Sequence, residues 1–129
     1  MTRREIRILV MQALYTADFN DTSMQEALEI VTDGEGNDSV KKYLEYINTN
    51  LEKIDGIISS ALHNYSLARL NLVDKAIIRL ATAEFLMGET NKKIIINEAL
   101  EITKEFSDQG DHKAASFNNK LLDNITKIL

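Results

Sequence analysis

The stretch that most constrains this chain is NLVDKAIIRLATAEFLMG, residues 71–88. At the helical period of about 100° per residue its apolar side chains, Leu72, Val73, Ile77, Ile78, Leu80, Phe85 and Leu86 among them, cover most of the circumference. A helix that is apolar nearly all round belongs in the middle of a domain. Asn71, Lys75, Arg79 and Thr82 recur every three or four residues and predict one narrow polar stripe, with Asp74 a step to its side. Gly88 ends the helix, because glycine accepts the left-handed conformation just past a helix terminus. The remaining residues must cover this element on several sides.

They read as further helices. Over residues 2–19, Ile6, Leu9, Val10, Ala13, Leu14 and Ala17 form a core stripe. The opposite face holds Arg4, Ile8, Met11, Gln12 and Tyr15, with Arg3 and Arg7 toward one edge. Guanidinium, amide and aromatic groups mixed on one face predict a contact surface rather than a merely solvated one. Residues 22–32 form a short helix with Ser23 and Glu26 spaced as a capping box, and residues 33–37 are a loop. Val40, Leu44, Ile47, Leu51, Ile54, Ile58 and Ala61 alternate four and three apart across residues 38–64, with an interruption expected at Asp55–Gly56. A homodimeric coiled coil would give that period, but charge is not organised at the flanking positions, and packing against the central helix is the favoured reading. Ile95, Ala99, Ile102 and Phe106 mark a helix over 91–106, and Ala114, Phe117, Leu121, Ile125 and Ile128 one over 113–128. The expectation is one all-α domain over residues 1–129 with six or seven helices.

Hydrophobic residues at 44% and charged residues at 27% describe an ordinary globular chain. The absence of cysteine excludes a disulfide framework and a thiolate metal site. No apolar run is long enough to span a membrane, and the start MTRRE lacks the apolar core of a signal peptide, so the expected location is cytoplasmic. The net charge is −5, but it is unevenly spread. Residues 1–10 carry three arginines against Glu5, +2, whereas residues 18–38 carry seven carboxylates and no Lys or Arg, −7. His63 and His112 have no partner at metal-ligand spacing, and there is no phosphate loop or nucleophile elbow. Asn97, Glu98 and Glu101 fit a solvated helix surface better than a carboxylate site. These features predict a binding module rather than an enzyme, with no cofactor.

Three segments together resemble the NusB family of transcription antitermination factors. Arg3-Arg4-Glu5-Ile6-Arg7 with Gln12-Ala13-Leu14-Tyr15 is similar to the family's arginine-rich start and its Q-x-L-Y. The run from Tyr65 to Ala81, YSLARLNLVDKAIIRLA, is close to W-x-L-x-R-L-N-x-V-D-R-A-I-L-R-L-A. Ile96-Asn97-Glu98-Ala99, then Phe117, Asn119, Leu121, Leu122 and Asp123, follow the I-N-E-A helix and the terminal F-V-N-G-V-L-D. The family's proline before I-N-E-A is replaced by Asn91-Lys92-Lys93, Asn118 and Lys120 replace an apolar and a small residue, and the loop 108–116 is longer.

The resemblance implies two three-helix bundles around a central helix and no catalysis. It implies binding of boxA RNA together with NusE, a small-subunit ribosomal protein, and action on the RNA polymerase elongation complex in ribosomal RNA operons. Carried over by residue, it implies an RNA-binding set of Arg3, Arg4, Arg7, Gln12, Tyr15, Phe117 and Asn119, with Asp74 facing NusE. For Phe117 core packing is an equal alternative, and Asn71 and Asp74 also suit the N-terminus of the central helix. A NusB-like accessory domain or a protein-binding adaptor without RNA specificity is the alternative function.

Overall fold

The computed structural model describes every residue except Gly36. The described residues fold into seven α-helices: α1 (Arg3–Asn20), α2 (Met24–Thr32), α3 (Asp38–Thr49), α4 (Leu51–Ala61), α5 (Leu72–Met87), α6 (Lys92–Phe106) and α7 (Lys113–Ile128). A single 3₁₀ turn, Leu67–Arg69, leads into α5, and no strand is formed among the described residues. Helices α1, α2 and α3 pack together on one side of α5, and α4, α6 and α7 on the other.

The helix starts are written locally. Thr2 and Glu5 form a reciprocal capping box at α1, with Thr2 Oγ1 accepting from the Glu5 N–H at 3.1 Å. Asn37, Asn71 and Asn91 cap α3, α5 and α6 with their side-chain oxygens. At α2 only half of the expected box forms: Ser23 Oγ accepts from the Glu26 N–H at 3.1 Å, without the reciprocal bond. The loop expected over residues 33–37 is present at Asp33, Gly34, Glu35 and Asn37, while Gly36 lies outside the described residues. Gly88 ends α5 with φ 69°, as its position required.

Helix α5 is the centre of the molecule. Its ten consecutive residues from Ala76 to Phe85 are all buried. Of the stripe expected to be polar, Asn71 is exposed and Lys75 half-buried, while Arg79 and Thr82 are buried because each has an internal partner. Thr82 Oγ1 donates back to the Ile78 carbonyl at 2.8 Å, and Arg79 forms a fork with Asp55 of α4 and reaches Asp18 of α1, all at 2.9 Å. Those carboxylates outweigh the desolvation of Arg79 and raise its pKa. Arg79 thus ties both sides of the molecule to the central helix.

Three expectations are corrected. The break between α3 and α4 falls at Asn50, not Asp55–Gly56. Asn50 Nδ2 donates to the Tyr46 carbonyl at 2.8 Å, the local competition that makes asparagine a helix breaker, while Asp55 is held inside α4 by Arg79. In α7 the buried face is Ala115, Asn118, Leu121, Leu122 and Ile125, so Phe117 and Ile128 turn outward, 38% and 46% exposed. In α6, Thr103 is buried and Phe106 lies at the surface. Both shifts have one cause. Asn118 donates to both Thr103 and Asp74 in the interior, and that polar cluster sets the rotation of α7.

Candidate RNA-binding surface

The arginines of α1 were expected to form a basic tip. Arg4 and Arg7 are instead matched by carboxylates from α5 and α6. Arg7 is 4% exposed, with Nε 3.0 and 3.1 Å from the two Glu84 oxygens and Nη2 at 2.9 Å. Its Nη1 reaches Glu98 at 3.5 Å. Burial opposes the charge on Arg7, but Glu84 and then Glu98 outweigh it, and its pKa is raised. Arg4 extends the cluster outward with Nε 3.3 Å from Glu98 Oε1 and Nη2 against Oε2, and it stays half exposed. Arg4 above all, with its hydrogen bond, holds the Glu98 carboxyl below the usual carboxylate range.

Two corrections follow. Arg7 is a structural charge with no face open to a phosphate, and Met11, placed on the same outer face, is also buried. Within the tip Arg4 and Arg7 are paired with Glu84 and Glu98, so two of its three cations are already matched. Arg3 is exposed, and among the described residues no carboxylate lies within ion-pair distance of it. Gln12 is half-buried. Tyr15 leans against the core and stacks on Phe19, with ring centres 5.7 Å apart and Phe19 65% exposed. Glu98, read as solvated helix surface, is the hub of this cluster. An acid in the apolar C-terminal half of α5 was the available signal for its neighbour Glu84, since a buried carboxylate demands a cation or a set of hydrogen-bond donors.

At the N-terminal end of α5 the chemistry differs. Asp74 is 7% exposed and wholly engaged. Its Oδ1 accepts from Ser107 Oγ at 2.6 Å and Asn118 Nδ2 at 3.1 Å, and its Oδ2 accepts from Asn71 Nδ2 at 2.7 Å. Asp74 is therefore not a surface charge for a partner; it joins α5, α6 and α7. The loop before α7 is built on a second carboxylate. Asp108 Oδ1 accepts from the N–H groups of Gly110 at 2.9 Å and His112 at 3.1 Å. Burial works against the charged form of Asp108, yet those donors prevail and its pKa is lowered.

Beside this cluster lie aromatic rings in the open. Phe117, turned outward by the rotation of α7, meets Tyr65 at a centroid distance of 5.6 Å and an interplanar angle of 60°. Tyr65 is 42% exposed, its hydroxyl donates to the Arg69 carbonyl at 3.1 Å, and the Arg69 guanidinium lies over its ring at 5.5 Å. Asn119 is exposed on the next step of α7. Phe117 and Asn119 are not brought against the arginines of α1. Ten residues of α5, about 15 Å at 1.5 Å per residue, separate Asp74 from Glu84. Tyr65 and Arg69 enter the sequence reading only as part of the run that resembles the family, with no binding role. A tyrosine and an arginine four apart, outside any apolar stripe, were the available signal for this exposed pairing.

The match to the NusB family model spans residues 4–127. The chain belongs to the NusB family. Among relatives, the transcription antitermination protein NusB of Bacillus licheniformis is 38% identical, over 100% of this chain and 99% of its own length. That of Listeria innocua is 33% identical over 97% and 96%. Among solved structures, T. maritima NusB superposes with a TM-score of 0.86 at 34% identity, covering 98% of this chain and 92% of that one. A NusB chain crystallised with NusE and double-stranded RNA also gives 0.86, at 25% identity and coverages of 98% and 97%. The NusB fold thus accommodates the missing proline and the altered 108–120 segment, where Asn118 serves as an internal donor. No helix among the described residues is long and apolar enough to cross a membrane.

Proposed function

We propose that this chain is a transcription antitermination factor that binds boxA-type RNA together with NusE. In this reading it acts on the RNA polymerase elongation complex during ribosomal RNA transcription, in the cytoplasm, as one RNA-binding domain that does no catalysis. The reading is carried by the full-length likeness to a NusB crystallised with NusE and RNA. In this reading the members of the set that stay open to solvent serve the RNA. Arg3 and Arg4 supply phosphate contacts, and Gln12 and Tyr15 extend that face along α1. Phe117, with Tyr65 and Arg69, supplies a stacking platform, and Asn119 borders it. Stacking suits unpaired bases of any identity, and an arginine over the ring adds to it. NusE meets a surface other than the Asp74 carboxylate.

An RNA mobility shift with a boxA-type oligonucleotide, run with and without purified NusE, tests this directly. The expected result is weak binding alone and tighter binding with NusE, in a one-to-one protein complex. Loss of any shift under both conditions, with the helical circular dichroism intact, would reject the RNA reading.

A further inference from the structure

The whole net charge of the chain sits in one hairpin. Residues 21–48 hold seven carboxylates against Lys41 and Lys42, −5, and the remaining residues sum to zero. Elsewhere Glu84 and Glu98 are matched by arginines of α1, and Asp18 and Asp55 by Arg79. In this hairpin, among the described residues, no cation lies within ion-pair distance of any of the seven. Helix dipoles favour Glu26 and Asp38, which lie in first turns. They disfavour Glu29 in the last turn of α2 and Asp33 at its C-cap, where a cation belongs. The fold gives no reason for those two.

Between α2 and α3 runs a groove of about 470 Å³. Met24, Leu28 and Leu44 line its floor, and Glu29, Glu45 and Lys41 line its sides. Its walls are helices, and α2 is nine residues long, about 13 Å. We propose that this groove is a docking site for a basic amphipathic helix of a protein partner, about two to three turns long. The partner's apolar face would lie on Leu28 and Leu44, and its lysines or arginines beside Glu29 and Glu45. This is helix-in-groove recognition with the sign of charge set by the unpaired rim. RNA is repelled here, so the site is separate from the RNA face and does not depend on it.

The probe is a synthetic peptide helix with leucines at i, i+4 and i+7 and lysines on both flanks, titrated into the isotope-labelled full chain. Amide shifts are expected at residues 24–29 and 41–48, and anisotropy should give an affinity that weakens with salt. The Glu29→Lys/Glu45→Lys double variant should lose at least tenfold. Glu52→Lys/Glu105→Lys, an equal charge change on exposed positions elsewhere, should lose under threefold. The double variant should keep boxA and NusE binding. The proposal fails if the shifts centre elsewhere, if a sequence-scrambled peptide binds equally, or if both double variants lose the same amount. It fails also if the groove amides respond to protein concentration or to boxA RNA, or if the Glu29→Lys/Glu45→Lys variant no longer binds NusE.

Discussion

At the C-terminal end of α5, two arginines and two glutamates close on one another; at its N-terminal end, a carboxylate closes on neutral donors and two aromatic rings are left in the open. The first end looks, in sequence, like the natural place for an anionic ligand. In space most of its charge is spent within the protein. The second end looks like a connector and a capping site, yet it holds the exposed groups least committed to the fold. A charged residue near a terminus is a poor guide to a ligand until its internal partners are known.

The largest effect should come from breaking the buried pair. Glu84→Ala leaves Arg7 charged in the interior beside only Glu98, and one-sided loss of a buried ion pair costs about 3–5 kcal/mol. Urea unfolding measures it. Replacing both partners by apolar residues, Arg7→Met with Glu84→Leu, should recover most of that loss. If the single variant costs under 1 kcal/mol, water reaches Arg7 and this end of α5 is not closed.

At the other end, Asp74→Ala leaves the buried Asn118 amide without one of its two acceptors, a cost of about 1–3 kcal/mol. The effect should appear in stability and not in the RNA affinity of the folded protein. Asp74→Lys should be worse, since it forces a cation among donors. If Asp74→Lys folds normally and loses only NusE, the carboxylate is a surface group after all.

Much of this architecture could be read from the residues. The all-round apolar pattern of 71–88, its asparagine start and glycine stop, and the heptad-like spacing of residues 40–61 are local or periodic signals, and helices follow them. The rotation of α7 is not periodic information. Phe117 and Asn118 compete for the interior, and hydrophobicity favours phenylalanine. The structure favours Asn118 because Asp74 and Thr103, 44 and 15 residues away in sequence, offer it hydrogen bonds. The fate of Arg7 was hidden for the same reason: its partner Glu84 is 77 residues distant. The candidate site was therefore legible as a set of residue types, and its division between structural and available members was not.

The exposed rings give the third test. Tyr65→Ala and Phe117→Ala should each weaken boxA RNA binding by about 1–3 kcal/mol with the salt slope nearly unchanged, because stacking releases no counterions. Both rings are outside the core, so thermal stability should barely move. Unchanged RNA affinity in both variants would leave the platform without a role in RNA binding and return attention to α1.

The smallest effect concerns Arg4 and Glu98, and it separates the two ends most finely. Arg4 is half exposed, so a phosphate can reach it, but Glu98 already holds its guanidinium. Because Arg4 lowers the Glu98 pKa, that carboxylate stays ionised throughout the neutral range. The sign follows from the lowered value. The pair's contribution to stability is fully present above the ordinary glutamate pKa of about 4.3 and is lost as pH falls through the lower folded value. Between pH 6 and 8, then, this pair should change neither stability nor RNA binding. Phosphate and carboxylate compete for one cation, so Arg4→Ala should flatten the log–log salt slope by less than the full value of about 0.7 for one contact to single-stranded RNA. Glu98→Gln keeps the shape, removes the competitor, and should tighten RNA binding and steepen the slope. If Glu98→Gln does nothing while Arg4→Ala removes the full increment, the bound RNA takes Arg4 without disturbing its partner. If neither variant moves affinity or slope, Arg4 is as structural as Arg7, and Arg3 with the aromatic platform carries the interface.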